Sequence, residues 1–287
     1  FKPLSSLIPL CLPSLAEEAN AAQWPILLER ISSNETIETA EIPWWIHDHC
    51  RQRRPFTEPV DNSSELEITH VLYASNAQNF DGLLSSMVSL AEHLVYPRQC
   101  VLHIIMPRDD VMQGRAVALE ECFFMMVAHW RHKITMEIHE EIPLNFSAEN
   151  RGPNRTSLAF ARIFATKYLP KLTRVVWLDT DTILKADVSL LFRTRMNGRP
   201  VAAVKEIGRN AHPSTTSNDR RSLPNMPSFE TMFNSGVLLM DLKAWRSQGV
   251  EKRMAEYALA HSYLEDQEIL NIVFQSDWHV LSWKTKV

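Results

Sequence analysis

Asp179 and Asp181 stand immediately beyond the apolar run at 174–178, in the segment VVWLDTDTIL. In extended chain, residues i and i+2 project to the same side, so both carboxylates can converge on one cation. Hard oxygen ligands of this kind suit Mg²⁺ or Mn²⁺, which in turn hold substrate phosphates. Asp-Thr-Asp is also an ordinary turn and capping sequence, because both residue types hydrogen-bond to nearby backbone. What surrounds the pair decides between the two readings.

Composition excludes other ways of holding a phosphate. The 287-residue chain has only seven glycines, about a third of the roughly 7% typical of proteins. They are too far apart for G-x-G-x-x-G, the Walker A loop or G-x-S-x-G. A phosphorylated ligand must therefore be held by a metal or by side chains. Lysine plus arginine number 30 against 34 aspartate plus glutamate, a formal charge of −4. That balance offers no global attraction for nucleic acid or an anionic membrane. Cys11, Cys50, Cys100 and Cys122 form no C-x-x-C pair, so no zinc ribbon or thioredoxin-type site is expected. His47, His49 and Cys50 have spacing that could share a metal, but they lie beside basic residues in a poorly patterned stretch.

The carboxylates need a framework, and the hydrophobic pattern supplies one. Ile68–Ala74, Val101–Met106, Ile134–His139 and Arg174–Leu178 read as strands; helices are expected at Asn79–Leu94, Asp109–Trp130 and Thr156–Tyr168. Further strands are expected at Val201–Lys205 and Ser235–Asp241, separated by a polar loop at 206–230. The C-terminal part reads as two helices, Val250–His261 and Asp266–Phe274. This alternation implies an α/β sandwich around a mainly parallel sheet, with ligands bound beyond the carboxyl ends of the strands. Residues 1–66 lack sustained periodicity and read as a stem or N-terminal extension ahead of a domain at 67–287. The apolar segment at 1–15 contains three prolines and is too short for a spanning helix.

Two enzyme classes use Asp-x-Asp at a strand end. In phosphatases of the haloacid dehalogenase type, Asp179 would be phosphorylated and Asp181 would act as acid and base. That motif normally sits on the first strand of its domain, whereas here at least three strands precede it, and no later Gly-Asp or Asp-Asp site completes it. In nucleotide-sugar glycosyltransferases both groups hold the metal on the diphosphate. The surrounding residues favour the second class. The run LAFARIFATKYLPKLTRVVWLDTDTILKADVSLLF at 158–192 resembles the central motif of glycosyltransferase family 8, a retaining family with the GT-A fold. The stretches VLYASNAQNFDGLLSSMVSL (71–90), FNSGVLLMDLKAWR (233–246) and DQEILNIVF (266–274) agree with that family in order and spacing.

The resemblance covers about 68–283 and implies a single Rossmann-like α/β/α sandwich around a mainly parallel mixed sheet. It also implies Mn²⁺- or Mg²⁺-assisted transfer of a hexosyl or related group from a UDP-sugar to a hydroxyl of a carbohydrate or glycoconjugate. By the same resemblance, Asp179 and Asp181 would ligate the metal, and Ser75, Asn76 and Asn79 would line the uridine pocket. Arg162 would approach the diphosphate or the donor sugar. Asn234, Ser235 and Gly236 would contact that sugar, Asp266 would bind its hydroxyls, and Gln267 would sit beside the anomeric carbon. Other roles are open to these residues: Arg162 could pair with a surface acid, Asn234-Ser-Gly could be a turn, and Asp266 could cap the last helix.

The family normally continues to a His-x-x-Gly-x-x-Lys-Pro-Trp-like motif, which completes the metal site and clamps the diphosphate. This sequence has none. It is therefore expected to be a piece of a longer protein or a degenerate member that serves as a nucleotide-sugar-binding subunit, and as it stands to bind Mn²⁺ and UDP weakly and to transfer sugar poorly. Sequons at Asn34, Asn62, Asn145 and Asn154 point to the secretory pathway, with the Golgi lumen as the expected compartment and any membrane anchor N-terminal.

Overall fold

The computed structural model describes residues 68–95, 99–128, 134–143, 157–206, 232–261 and 264–281. Residues 1–66, read from the sequence as an N-terminal extension, the His47, His49 and Cys50 group, the four sequons and nearly all of the segment 206–230 expected as a loop lie outside the described residues.

Seven strands form one sheet: β1 (Ile68–Ala74), β2 (Gln99–Met106), β3 (Ile134–Glu140), β4 (Arg174–Leu178), β5 (Val201–Lys205), β6 (Phe233–Asp241) and β7 (His279–Leu281). Their order is β3-β2-β1-β4-β6-β5-β7. β6 runs antiparallel to both neighbours, and every other pair is parallel. The mixed, mainly parallel sheet expected from the sequence is therefore present. Helices α1 (Phe80–His93), α2 (Arg108–Met112), α3 (Arg115–Met126), α4 (Ala165–Tyr168), α5 (Val188–Phe192), α6 (Leu242–Ser247), α7 (Val250–Ala260) and α8 (Asp266–Phe274) connect and cover it.

The central strands β1, β2, β4 and β5 read as largely apolar runs because both their faces are buried. Val71 and Tyr73 of β1 pack with Leu83, Met87 and Leu90 of α1 and Phe123 of α3 on one face. Leu72 between them packs with Ile163, Trp177, Trp245 and Ile269 on the other. Alternate residues thus feed two cores, as the two-residue period of a strand requires. No described helix is long and apolar enough to cross a membrane.

Three expectations need correction. The helix expected from Asp109 is broken into α2 and α3 by Gly114, whose φ of 74° is left-handed. The stretch before α4 is a 3₁₀ helix, Ser157–Phe164, rather than α-helix. Its side chains from Leu158 to Phe164 are buried or nearly so, so tertiary packing rather than an amphipathic period sets its winding. The short helices α5 and α6 were missed, although Asp187 and Asp241 cap them by accepting from the amides of Ser189 (2.9 Å) and Ala244 (2.8 Å).

Candidate active site

β4 delivers Asp179 to the carboxyl edge of the sheet. The Asp179 amide donates to the Gly236 carbonyl at 2.8 Å, and its own carbonyl accepts from Thr182 at 3.1 Å, which closes a turn through Asp181. The turn reading and the ligand reading are therefore compatible. Asp179 Oδ1 accepts two hydrogen bonds of 2.8 Å, from Arg162 Nη2 and from the indole Nε1 of Trp177. Oδ2 lies toward Gly236, where a Cβ would sit 3.2 Å from it and 3.2 Å from Asn234 Oδ1. Gly82 on α1 likewise lets the Thr180 carbonyl approach, since a Cβ there would lie 3.0 Å from its oxygen. Two of the few glycines thus make room for the Asp-Thr-Asp turn. Asp181 is exposed beside it.

Arg162 organises the corner. It is 6% exposed and does not pair with a surface acid. Its Nη1 donates to the Ser235 carbonyl at 2.6 Å, its Nη2 reaches Asp179, and its Nε faces Asp266 Oδ2 at 2.9 Å. That last contact is a pairing of charges rather than an aligned hydrogen bond. The guanidinium carbon lies 4.6 Å from the Trp177 ring centroid, a cation–π contact. One cation here faces two carboxylates. Burial pushes the Asp266 carboxyl above the usual carboxylate range; Arg162 and backbone amides pull it back, and the Asp179 charge adds to the rise.

β6 brings in the next group through a break in its pairing with β5. The register jumps from Ala203–Leu238 to Val204–Asn234, so residues 235–237 have no partner on β5. Such a bulge re-aims side chains, and here it carries Ser235 and Gly236. Gln267 on α8 locks it: its Oε1 accepts from the Ser235 amide at 2.9 Å and the Ser235 hydroxyl at 3.1 Å. Its Nε2 donates to Glu206 Oε2 at 3.2 Å, and Asn234 Nδ2 donates to the same oxygen at 3.2 Å. Asn271, one turn on, fixes α8 against β6 by accepting from Phe233 N and donating to Phe233 O. The N-cap of α8 is Glu265, in a capping box with Glu268, so Asp266 is the first helical residue and not the cap.

The remaining predicted residues lie after β1. Ser75 is buried, with its amide on the Ile105 carbonyl, and its hydroxyl donates to the Asn76 carbonyl. Asn76 Oδ1 is buried and receives no hydrogen bond from the described residues. Asn79 is exposed at the start of α1. Asp110, which the sequence did not single out, holds this loop by accepting from the Ala77 amide at 2.9 Å and from Arg115 at 2.9 Å.

Direct contacts therefore join Arg162, Asp179, Asp266, Ser235, Gln267, Gly236 and, through Gly236, Asn234, while Ser75, Asn76 and Asn79 occupy the neighbouring loop. Glu206 and Trp177 were missed. Trp177 could have been found, since residues i and i+2 of a strand share a face. The oxygen-only pair of Asp179, with Oδ2 beside Gly236, and exposed Asp181 fits a hard cation such as Mn²⁺ or Mg²⁺.

The family model described as Glycosyl transferase family 8 matches residues 70–284. The chain is 29% identical to glycosyltransferase GlyF of Streptococcus pneumoniae serotype 4 over 139 residues, 47% of this chain and 31% of GlyF. It therefore spans under a third of that relative. Its fold matches the bifunctional glycosyltransferase WbbM in its apo form with a TM-score of 0.60 at 17% identity, over 80% of this chain and 40% of WbbM. It also matches the galactosyltransferase LgtC, solved with donor and acceptor sugar analogues, with a TM-score of 0.53 at 18% identity, over 72% of this chain and 70% of LgtC.

Proposed function

The chain belongs to glycosyl transferase family 8 and has the GT-A fold, and we propose that it moves a hexosyl or related group from a UDP-sugar to an acceptor hydroxyl, with retention at the anomeric carbon. The observation that best supports this is the junction at Arg162, where a single side chain ties the Asp-x-Asp turn, the Asn-Ser-Gly bulge and the start of α8 together.

In this reading Asp179 and Asp181 hold Mn²⁺ or Mg²⁺, which when bound neutralises the diphosphate and stabilises the charge that grows on departing UDP. Arg162 orients Asp179 so that Oδ2 is left toward the ligand, and one N–H on each Nη is left for the donor. Asn76 Oδ1, a buried acceptor with no donor among the described residues, suits the imide N–H of uracil. Asp266 accepts from sugar hydroxyls, and Asn234 donates to one through the Nδ2 hydrogen that Glu206 leaves free. Gln267 is an amide with both ends engaged, so it positions Ser235 and does not act as a nucleophile. Retention then arises from attack by the acceptor hydroxyl on the face that UDP leaves.

The test is UDP release from a panel of UDP-glucose, UDP-galactose, UDP-galacturonate and UDP-xylose, with and without Mn²⁺. One donor should turn over only with metal, and Asp179→Asn should reduce the rate about 10²–10³-fold. Metal-independent turnover, or an Asp179→Asn variant as active as wild type, would overturn the reading. Tight donor binding without turnover would favour a nucleotide-sugar-binding subunit instead.

A further inference from the structure

Three imidazoles run across the other half of the sheet: His70 on β1, His103 on β2 and His139 on β3. Their rings stack in sequence, each pair with centroids 5.3 Å apart. His103 Nε2 lies 3.0 Å from His70 Nδ1, and His103 Nδ1 lies 3.1 Å from His139 Nε2. Glu137 is directly opposite His103 in the register, and its Oε2 is 3.2 Å from the same His103 Nδ1. A carboxylate oxygen and an imidazole nitrogen thus converge on one nitrogen that carries at most one proton. The three ligand-capable atoms all lie within 4.8 Å of one another.

We propose that His103 Nδ1, His139 Nε2 and Glu137 Oε2 bind a zinc ion, at a site separate from Asp179 and Asp181. A single cation satisfies all three lone pairs at once, which one shared proton does not. Tetrahedral zinc with bonds of about 2.0–2.1 Å places its ligand atoms about 3.3–3.4 Å apart. The two separations from His103 Nδ1, 3.1 and 3.2 Å, fall just short of that edge, and His139 Nε2 and Glu137 Oε2 lie within 4.8 Å of each other. Glu137, whose side chain is 59% exposed, can move outward to accommodate the ion and leaves room for water as a fourth ligand. With Nδ1 on the metal, His103 must carry its proton on Nε2 and donate it to His70 Nδ1. His70 is thus the outer partner that fixes the tautomer, as ligating histidines generally require. Two imidazoles, a carboxylate and a water make a known zinc donor set, whereas an all-oxygen pair favours Mn²⁺ or Mg²⁺, so the two sites differ in ligand type. The ion would tie β3, which pairs with β2 alone among the described strands, to the rest of the sheet.

The test is titration of the metal-free chain with Zn²⁺, and with Co²⁺ as a spectroscopic substitute. One equivalent of Co²⁺ should give the intense visible absorption of a tetrahedral site, and excess Mn²⁺ should not displace it. Glu137→Gln and His139→Gln should each weaken binding at least about 10-fold, and His70→Ala about 10–100-fold. Asp179→Asn should leave it unchanged. Zn²⁺ should raise the melting temperature of wild type but not of the Glu137→Gln/His139→Gln double variant, whose metal-free circular dichroism should match wild type. No binding, binding that survives the double variant, or binding lost in Asp179→Asn would overturn the proposal. A double variant that does not fold leaves the decision to Glu137→Gln alone, because that side chain is largely exposed.

Discussion

At the junction of β4 and β6 one guanidinium faces two carboxylates and a carbonyl, while across β1, β2 and β3 three imidazoles face one another with an exposed carboxylate beside the middle one. Both are polar networks set into one sheet, yet they meet the cost of burial in opposite ways. Arg162 keeps its charge and needs acidic partners to offset desolvation. The imidazoles avoid charge: burial lowers the pKa of His70, of His139 and of His103, the last to about 3. The first network is an electrostatic frame that orients carboxylate oxygens, and the second offers neutral nitrogen lone pairs.

Breaking the charged frame should have the largest effect. Arg162→Met leaves Asp266 buried without its cation, and should cost about 3–5 kcal/mol of stability by urea unfolding. Adding Asp266→Asn should recover part of that loss, because the residual buried charge is removed; no recovery would mean that the ion pair is not what Arg162 supplies. Gly236→Ala comes next. Its methyl would press on Asp179 Oδ2 and Asn234 Oδ1 at 3.2 Å, so kcat should fall about 10²-fold, as for other losses of positioning, while the melting temperature changes little. Trp177→Phe keeps a ring beneath Arg162 but removes the N–H that holds Asp179 Oδ1. A loss of about 1.5–3 kcal/mol is expected for a bond to a charged acceptor, with a smaller drop in kcat than Gly236→Ala gives.

The imidazole ladder should respond to acid rather than to salt. Its folded-state pKa values lie below the ordinary 6.5, so the unfolded chain binds more protons than the folded one as pH falls. This contribution is intact above about pH 6.5 and is lost progressively toward pH 3. Metal-free melting curves should show that acid sensitivity, and His139→Gln should reduce it. A variant with unchanged acid sensitivity would show that the ladder is not its source. This is the smallest of the four effects near neutral pH.

The two regions also differ in how far the sequence discloses them. Asp179 and Asp181 are visible because two residues on one strand end carry the signal, and Arg162, Asn234 and Asp266 sit inside runs with recognisable order. Glu206 is not visible: it reaches Gln267 and Asn234 only because the register between β5 and β6 jumps after Ala203, and no residue pattern marks that jump. The ladder is hidden for a related reason. Its histidines are 33 and 36 residues apart, and only the parallel register of β1, β2 and β3 stacks them. Local signals such as Gly114 do mark the helix break, but periodicity overrode it in the reading of one long helix. The 3₁₀ segment before α4 carried no local signal, since burial on all sides sets its form.

Calorimetric titration of the preferred UDP-sugar into wild type and Asp179→Asn, each with and without Mn²⁺, is the most direct test of the charged corner. Binding should be strengthened by Mn²⁺ in wild type and should weaken about 10–100-fold in Asp179→Asn, with Mn²⁺ no longer having any effect. Equal affinity in the two proteins, or affinity indifferent to Mn²⁺ in wild type, would contradict the assignment of Asp179 as the residue that joins donor, metal and Arg162.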